Sequence, residues 1–312
     1  MLAETRAPAP APTPSPKTTT SSLPAARTMS ERSSTDAAQS DIFDWSPAEL
    51  IRDAPLSTGW DSCGIGFALV VLNQPLHHLD VTRRLWNKAQ VRIAADGGAN
   101  ALYQAAGQHG DSSFDDLAVI IGDLDSLSPS ARAYYESRGD DERQYKTLVI
   151  RDPDQESTDF GKAVAYVRQH YGHRDGAQPI DIVAIGGLGG RVDQGLSQLH
   201  YLYRFQAEPG YAQGRMYLFS GESLTFLLKP GTHRIRVRDG RSEDVFGKYV
   251  GILPVGKPSR ITTRGLEWDV QDWETRFGGR VSTSNHVLPE TEVVEVQTTE
   301  EVLFTIVLRQ QA

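Results

Sequence analysis

The chain has a single cysteine, Cys63, in 312 residues. No intramolecular disulfide can form and no thiolate cluster can hold a metal. Such cysteine usage fits a reducing compartment, and a cytoplasmic protein is expected. Long apolar runs are also missing. The longest, Ile65 to Leu72, falls far short of the ~20 residues a membrane span needs and suits a buried strand, so no membrane partner is expected. There is no excess of positive charge. Lys and Arg number 32 against 40 Asp and Glu, for a net charge of −8 and a pI near 5.5. Phosphate-backbone binding needs clustered Lys and Arg, so no nucleic-acid partner is expected. Two phosphate-loop signatures are absent as well. No Gly-x-x-x-x-Gly-Lys-Ser/Thr occurs, and no Gly-x-Gly-x-x-Gly opens the first helix. His170-x-x-His173 closes a helix and is not read as a metal site.

What is present begins with a tail. Residues 1–45 are rich in Pro, Ala, Ser and Thr, as in Ala7-Pro8-Ala9-Pro10-Ala11-Pro12. They bury too little apolar surface to offset the entropy of ordering, so disorder is expected. The prolines and the lack of amphipathic period argue against a targeting helix. Residues 46–210 then alternate strand and helix patterns. Strands are expected at Ile65–Leu72, Val91–Ala95, Leu117–Ile121, Thr147–Ile150 and Ile180–Ile185. Helices are expected between them, one carrying Phe160, Ala163, Val164, Val167 and Tyr171 on a single stripe. Strands separated by helices imply right-handed βαβ units, so an α/β domain with a Rossmann-like parallel sheet is expected. Residues 211–312 change character. Short strands from Met216 to Leu308, parted by turns such as Pro230-Gly231, point to an antiparallel β-sandwich.

Four expected strand ends carry unusual residues. Asp96-Gly97-Gly98 follows the second strand, and Gly122-Asp123-Leu124-Asp125-Ser126 follows the third. Asp154-Gln155 through Thr158-Asp159 opens a helix, and Gly186 to Gly190 leads into Arg191 and Asp193. Each has a plain structural reading, as a glycine turn, a solvated Asp-x-Asp turn, or cap and dipole partners of a helix. Taken together they converge on one crevice, because ligands sit at the carboxyl ends of parallel strands. Glycine-rich backbone and an arginine favour phosphate, while the carboxylates repel it unless a divalent cation intervenes. Oxygen ligands in a turn suit Mg²⁺. The residues alone therefore indicate nucleotide-dependent phosphoryl or glycosyl transfer.

The ordered set resembles thiamine pyrophosphokinases: Asp96-Gly97-Gly98-Ala99-Asn100, Gly122-Asp123-Leu124-Asp125-Ser126, Asp154-Gln155 with Thr158-Asp159-Phe160-x-Lys162-Ala163, and Gly186-Gly187-x-Gly189-Gly190-Arg191-x-Asp193-Gln194. Gly265-Leu266-Glu267-Trp268 and Ser282-Thr283-Ser284-Asn285 extend the likeness into the β-rich part. The resemblance implies transfer of pyrophosphate from ATP to the hydroxyethyl group of thiamine, giving thiamine diphosphate and AMP. It implies Mg²⁺ as cofactor and a homodimer whose active site lies between one subunit's α/β domain and its partner's β-domain. By the same likeness Asp123, Asp125 and Asp159 are the metal ligands and, with Arg191, the catalytic set. Asp96, Gly97, Gln155, Thr158, Gly189, Gly190, Asp193 and Gln194 would line the nucleotide and diphosphate site. Trp268 would stack on thiamine, with Ser284 and Asn285 nearby.

Two rival readings remain at this stage. Asp-x-Asp after a strand also serves metal-dependent nucleotide-sugar glycosyltransferases, although Gly-Gly-x-Gly-Gly-Arg is not required for sugar transfer. A non-catalytic sensor of nucleotide or thiamine is the second, and nothing in the sequence removes the acidic residues it would not need.

Overall fold

The computed structural model describes residues 41–52, 66–109, 114–137, 146–172, 179–240 and 244–309. Cys63 and the Pro-rich stretch before residue 41 lie outside them. The first described strand, β1 (Ile42–Trp45), corrects the expected extent of the tail. It pairs in parallel with β9 (Gly231–Arg236) and buries Trp45 almost completely. The indole stacks on Phe226 with centroids 4.6 Å apart, and its Nε1–H donates to His233 Nδ1 at 3.0 Å. Removing a buried indole of this kind costs roughly 3–5 kcal/mol, which is why composition alone misjudged these four residues.

Among the described residues, six strands run parallel in one sheet: β2 (Phe67–Val71), β3 (Val91–Ala95), β4 (Val119–Gly122), β5 (Leu148–Arg151), β6 (Asp181–Ile185) and β7 (Met216–Phe219). Their order is β7-β6-β2-β3-β4-β5. β2 and β6 are buried along their whole length, as expected for parallel strands covered on both faces. Phe67, Leu69 and Val71 face a core shared with α1 (Leu79–Lys88), α2 (Gly98–His109) and α3 (Pro129–Ser137). Ala68 and Val70 face the opposite core, under α4 (Asp159–Tyr171) and α5 (Val192–Phe205). The α/β arrangement expected from the pattern is therefore present, with β7 as an additional parallel strand. The sequence pattern had assigned Met216–Phe219 to the antiparallel part.

Past β7 the same sheet turns antiparallel through β8 (Ser223–Leu228), β15 (Val302–Leu308), β10 (Phe246–Leu253) and β13 (Ser282–His286). A second sheet, β1-β9-β14-β11-β12, adds β14 (Val293–Thr298), β11 (Ser259–Arg264) and β12 (Trp273–Thr275). Ile235, Val294 and Val296 from this sheet share a core with Phe226, Ile252 and Phe304 from the first. The expected β-sandwich is thus built on a sheet that continues unbroken from the parallel part. Ser282–His286, expected as a polar loop, is a strand in which Asn285 is buried at 5% exposure. No helix among the described residues is long and apolar enough to cross a membrane.

Candidate active site

Three carboxylates meet at the carboxyl edge of the parallel sheet. Asp96 follows β3, Asp123 follows β4, and Asp159 is the first residue of α4. One oxygen from each lies within 4.8 Å of the others. Gly122 makes this approach possible, because a Cβ there would stand 2.7 Å from Asp96 Cβ and 2.9 Å from Asp159 Oδ1. Asp96 sits at φ 41° and Leu124 at φ 67°. Left-handed backbone at such residues costs of order 1–3 kcal/mol each and persists only where the surroundings enforce it.

The surroundings here are a set of backbone donors. Ser126 N–H donates to Asp96 Oδ2 at 3.0 Å, Asp125 N–H to Asp123 Oδ1 at 3.1 Å, and Asp123 N–H to Asp159 Oδ1 at 3.3 Å. Gln155 Nε2 donates to Asp123 Oδ2 at 3.3 Å. Asn100 fastens the loop from the side, donating through Nδ2 to Ser126 O and accepting from Ser128 N–H. The charges respond accordingly. Burial, with added repulsion from Asp159, Asp125 and Asp123, raises the Asp96 pKa from 3.8 to about 6. Burial also raises that of Asp159, whereas the Asp125 amide and Gln155 lower that of Asp123.

Two observations show what the cluster suits. Asp96 Oδ1 is buried and has no hydrogen-bond partner. Leaving a buried acceptor unsatisfied costs roughly 1–3 kcal/mol, more if it is charged. The cation beside the three acids is Lys162, 4% exposed, with Nζ 3.5 Å from Asp159 Oδ1. One lysine leaves the group net negative. A hard divalent cation would satisfy both deficits, and an all-oxygen donor set is what such a cation prefers.

The expected metal set named Asp125; the acids that converge are Asp96, Asp123 and Asp159. Asp125 is exposed, and its carboxylate accepts from Ser126 Oγ at 2.9 Å. The cluster borders an open cleft walled by α4 and α5, with Gln155, Thr158, Arg191 and Gln194 on its lining. Thr158 also has its structural role, since its Oγ1 caps α4 by accepting from Gly161 N–H at 3.1 Å. Arg191 forks onto Asp193 through Nε at 3.1 Å and Nη2 at 2.6 Å, both side chains exposed. Gly97 turns the chain into α2, and a side chain there would collide with the Asn73 amide at 2.3 Å. Gly189 and Gly190, at φ 144° and 63°, carry the backbone from β6 toward Arg191. Lys162 and Gln198 were not expected at the site. Gln198 Oε1 is buried, unpartnered and on the cleft wall. The only sequence signal for Lys162 was its place in the Thr158–Ala163 motif, and Gln198 had none.

Trp268, Ser284 and Asn285 lie elsewhere. β13 is at one end of the ten-stranded sheet and β3 is seven strands away. At ~4.8 Å per strand that is roughly 34 Å, so one chain does not bring these residues to its own acid cluster. Trp268 is 54% exposed. Asn285 clamps its backbone, accepting from Trp268 N–H at 3.2 Å and donating to Trp268 O at 3.0 Å. Ser284 stands at φ 56°. His286, also unexpected, places its ring 5.0 Å from both Trp268 and Tyr249 and pairs with Glu267.

Comparison with known proteins accounts for both parts of the fold. Residues 82–211 match the family model described as thiamin pyrophosphokinase, catalytic domain, and residues 232–303 match thiamin pyrophosphokinase, vitamin B1 binding domain. Thiamine pyrophosphokinase 3 of Oryza sativa subsp. japonica is 36% identical over 254 residues, covering 79% of this chain and 88% of its own. Thiamine pyrophosphokinase 1 of Arabidopsis thaliana is 37% identical over 258 residues, covering 80% and 88%. The crystal structure of yeast thiamin pyrophosphokinase shares the fold, with a TM-score of 0.71 at 24% identity over 89% of this chain and 95% of that one. On the strength of the family models and the sequence relatives, the chain belongs to the thiamine pyrophosphokinase family of enzymes.

Proposed function

We propose that this enzyme transfers the pyrophosphoryl group of ATP to the hydroxyethyl oxygen of thiamine, with Mg²⁺ at the acid cluster. The observation that carries the reading is Asp96 Oδ1, buried without a donor among three converging carboxylates. Asp96, Asp123 and Asp159 would hold Mg²⁺, whose charge screens triphosphate oxygens from those same acids. The chain's own residues do the remaining work. Gln155 and the Asp125 amide hold Asp123 in one orientation. Lys162 offsets Asp159, and Arg191 exchanges its fork on Asp193 for phosphate oxygens. In the reaction a bond forms from the thiamine oxygen to the β-phosphorus and the bond from that phosphorus to the α–β bridging oxygen breaks. The hydroxyl proton is lost and AMP leaves. Catalysis then rests on positioning and electrostatics, with no covalent intermediate.

The acceptor side comes from a second copy. An exposed indole held by Asn285 suits the cationic, aromatic thiamine. The strand order keeps it away from the acids of its own chain, so a homodimer that sets Trp268 and Ser284 of one subunit against the cleft of the other completes the site. Val192 and Leu196 on α5, 77% and 56% exposed beside Arg191, are apolar surface that such pairing would cover. The single cysteine supports a cytoplasmic setting. Family membership stands against the glycosyltransferase reading.

The test is to incubate the protein with ATP, Mg²⁺ and thiamine and separate the products by chromatography. AMP and thiamine diphosphate, both dependent on thiamine, are expected. AMP formed without thiamine, or none at all, would refute the reaction.

A further inference from the structure

The backbone of Trp268 is fixed by one side chain. Asn285 Oδ1 accepts from Trp268 N–H at 3.2 Å and from His286 N–H at 2.8 Å, while Asn285 Nδ2 donates to Trp268 O at 3.0 Å. That clamp leaves both side-chain torsions of the tryptophan open. An indole 54% exposed has several staggered rotamers to choose from, and its Nε1–H makes no hydrogen bond among the described residues. Among those residues, the one aromatic ring packed against the indole is the imidazole of His286, with centroids 5.0 Å apart and planes tilted by 46°. That spacing falls in the favourable range for ring contacts.

We infer that Glu267 and His286 are a positioning pair that holds the Trp268 indole in the orientation that receives the acceptor. The inference rests on the proposal that Trp268 stacks on thiamine, and it names the residues that prepare the indole for it. The imidazole is itself held. Glu267 Oε2 accepts from its Nδ1, and because a carboxylate only accepts, Nδ1 carries the hydrogen. Tyr249, its register partner across β10 and β13, adds a second ring contact at 5.0 Å. Glu267 N–H donates to His286 O at 2.8 Å and Leu266 bridges to Val287, so the segment carrying Trp268 runs alongside β13. Tyr249, His286 and Trp268 therefore form one row across three adjoining segments. The row lies at the surface, with Tyr249 50% exposed and the Glu267 side chain 45%. A pair so exposed adds little to folding. What it orders is the indole beside it. A stacking ring already held in its binding rotamer removes an ordering cost from binding.

The first experiment uses no substrate. In the full chain labelled with ¹⁵N-tryptophan, the heteronuclear NOE of the Trp268 indole N–H, assigned through Trp268→Phe, reports motion on the ps–ns timescale. A rigid indole is expected in the wild type and a mobile one in both His286→Ala and Glu267→Ala. An indole equally rigid in both variants would overturn the inference. Kinetics with ATP, Mg²⁺ and thiamine follow. His286→Ala should raise KM for thiamine about fivefold and leave kcat and KM for ATP within about twofold. His286→Phe, which returns a ring to the same place, should recover most of that loss. Glu267→Ala should raise KM for thiamine about threefold, yet add nothing in the His286→Phe background, where no Nδ1–H remains to be held. An equal loss in both backgrounds would mean that the carboxylate acts on the cationic acceptor directly, and would overturn the pair, as would an unchanged KM in His286→Ala. If His286→Ala does not fold, Glu267→Ala supplies both readouts. An indole that loosens as expected, in a protein that forms no thiamine diphosphate, would keep the hold on Trp268 and refute the reaction.

Discussion

Asp96→Asn should make the metal-free protein more stable and nearly inactive. In the folded chain Asp96 holds its proton to about pH 6, against 3.8 ordinarily, mainly because it is buried. The folded state therefore binds more protons than the unfolded state between about pH 4 and 6, and stability falls as pH rises through that window. Above it the whole penalty is present. A shift from 3.8 to about 6 corresponds to at most ~3 kcal/mol, and screening by water in the open cleft reduces this to about 1–2 kcal/mol. Asparagine removes the charge, keeps an acceptor for Ser126 N–H and tolerates φ 41°. Thermal unfolding in EDTA at pH 7.5 should place the variant roughly 2–4 °C above wild type, with the gap closing as pH is lowered toward 4. Added Mg²⁺ should stabilise wild type through selective binding to the folded state and the variant much less. A variant that melts below wild type at pH 7.5 in EDTA, or that Mg²⁺ stabilises equally, would refute the reasoning.

Gly122→Ala should cost about 1–3 kcal/mol by overpacking and weaken Mg²⁺-dependent stabilisation, because its Cβ pushes Asp96 and Asp159 apart; calorimetry with and without Mg²⁺ reads both effects. Trp268→Ala should leave the melting temperature nearly unchanged, the residue being half exposed, and raise KM for thiamine by about tenfold. Asn285→Ala should raise the same KM and also lower stability by about 1–3 kcal/mol, since the clamp on Trp268 is buried. Mixing inactive Asp123→Asn with Trp268→Ala protein under subunit exchange, assayed at thiamine well below KM, should raise activity several-fold over the unexchanged mixture to about a quarter of wild type, because half the dimers then contain one intact site. No recovery on mixing would contradict a shared site.

Most of the parallel sheet was legible because strands buried on both faces read as continuous apolar runs, as at Phe67–Val71 and Val119–Ile121. β1 was not, since four residues at the end of a Pro-rich stretch weigh little against its composition; what orders them is Trp45 against Phe226 and His233, 181 and more positions away. Ser282–His286 has no apolar alternation, so its strand character comes from pairing with β10. The sequence places Asp123 at a strand end and Asp159 at a helix start, and the structure brings their carboxylates together with that of Asp96; their role as metal ligands was implied by the family resemblance. The resemblance placed Asp125 in the metal set beside Asp123, but the chain turns left-handed at Leu124 between them. That turn leaves Asp125 exposed while Gly122 admits Asp96 to the cluster. Lys162 and Gln198 face the cleft from helices, where neighbours in space are invisible in a single sequence.

The most direct measurement is to follow ATP labelled at its β-phosphorus through a single turnover with thiamine and Mg²⁺. Direct pyrophosphoryl transfer places the label in thiamine diphosphate and leaves unlabelled AMP. A label retained in ADP, with thiamine receiving only the γ-phosphate, would contradict attack at the β-phosphorus and the orientation of the nucleotide proposed for this cleft.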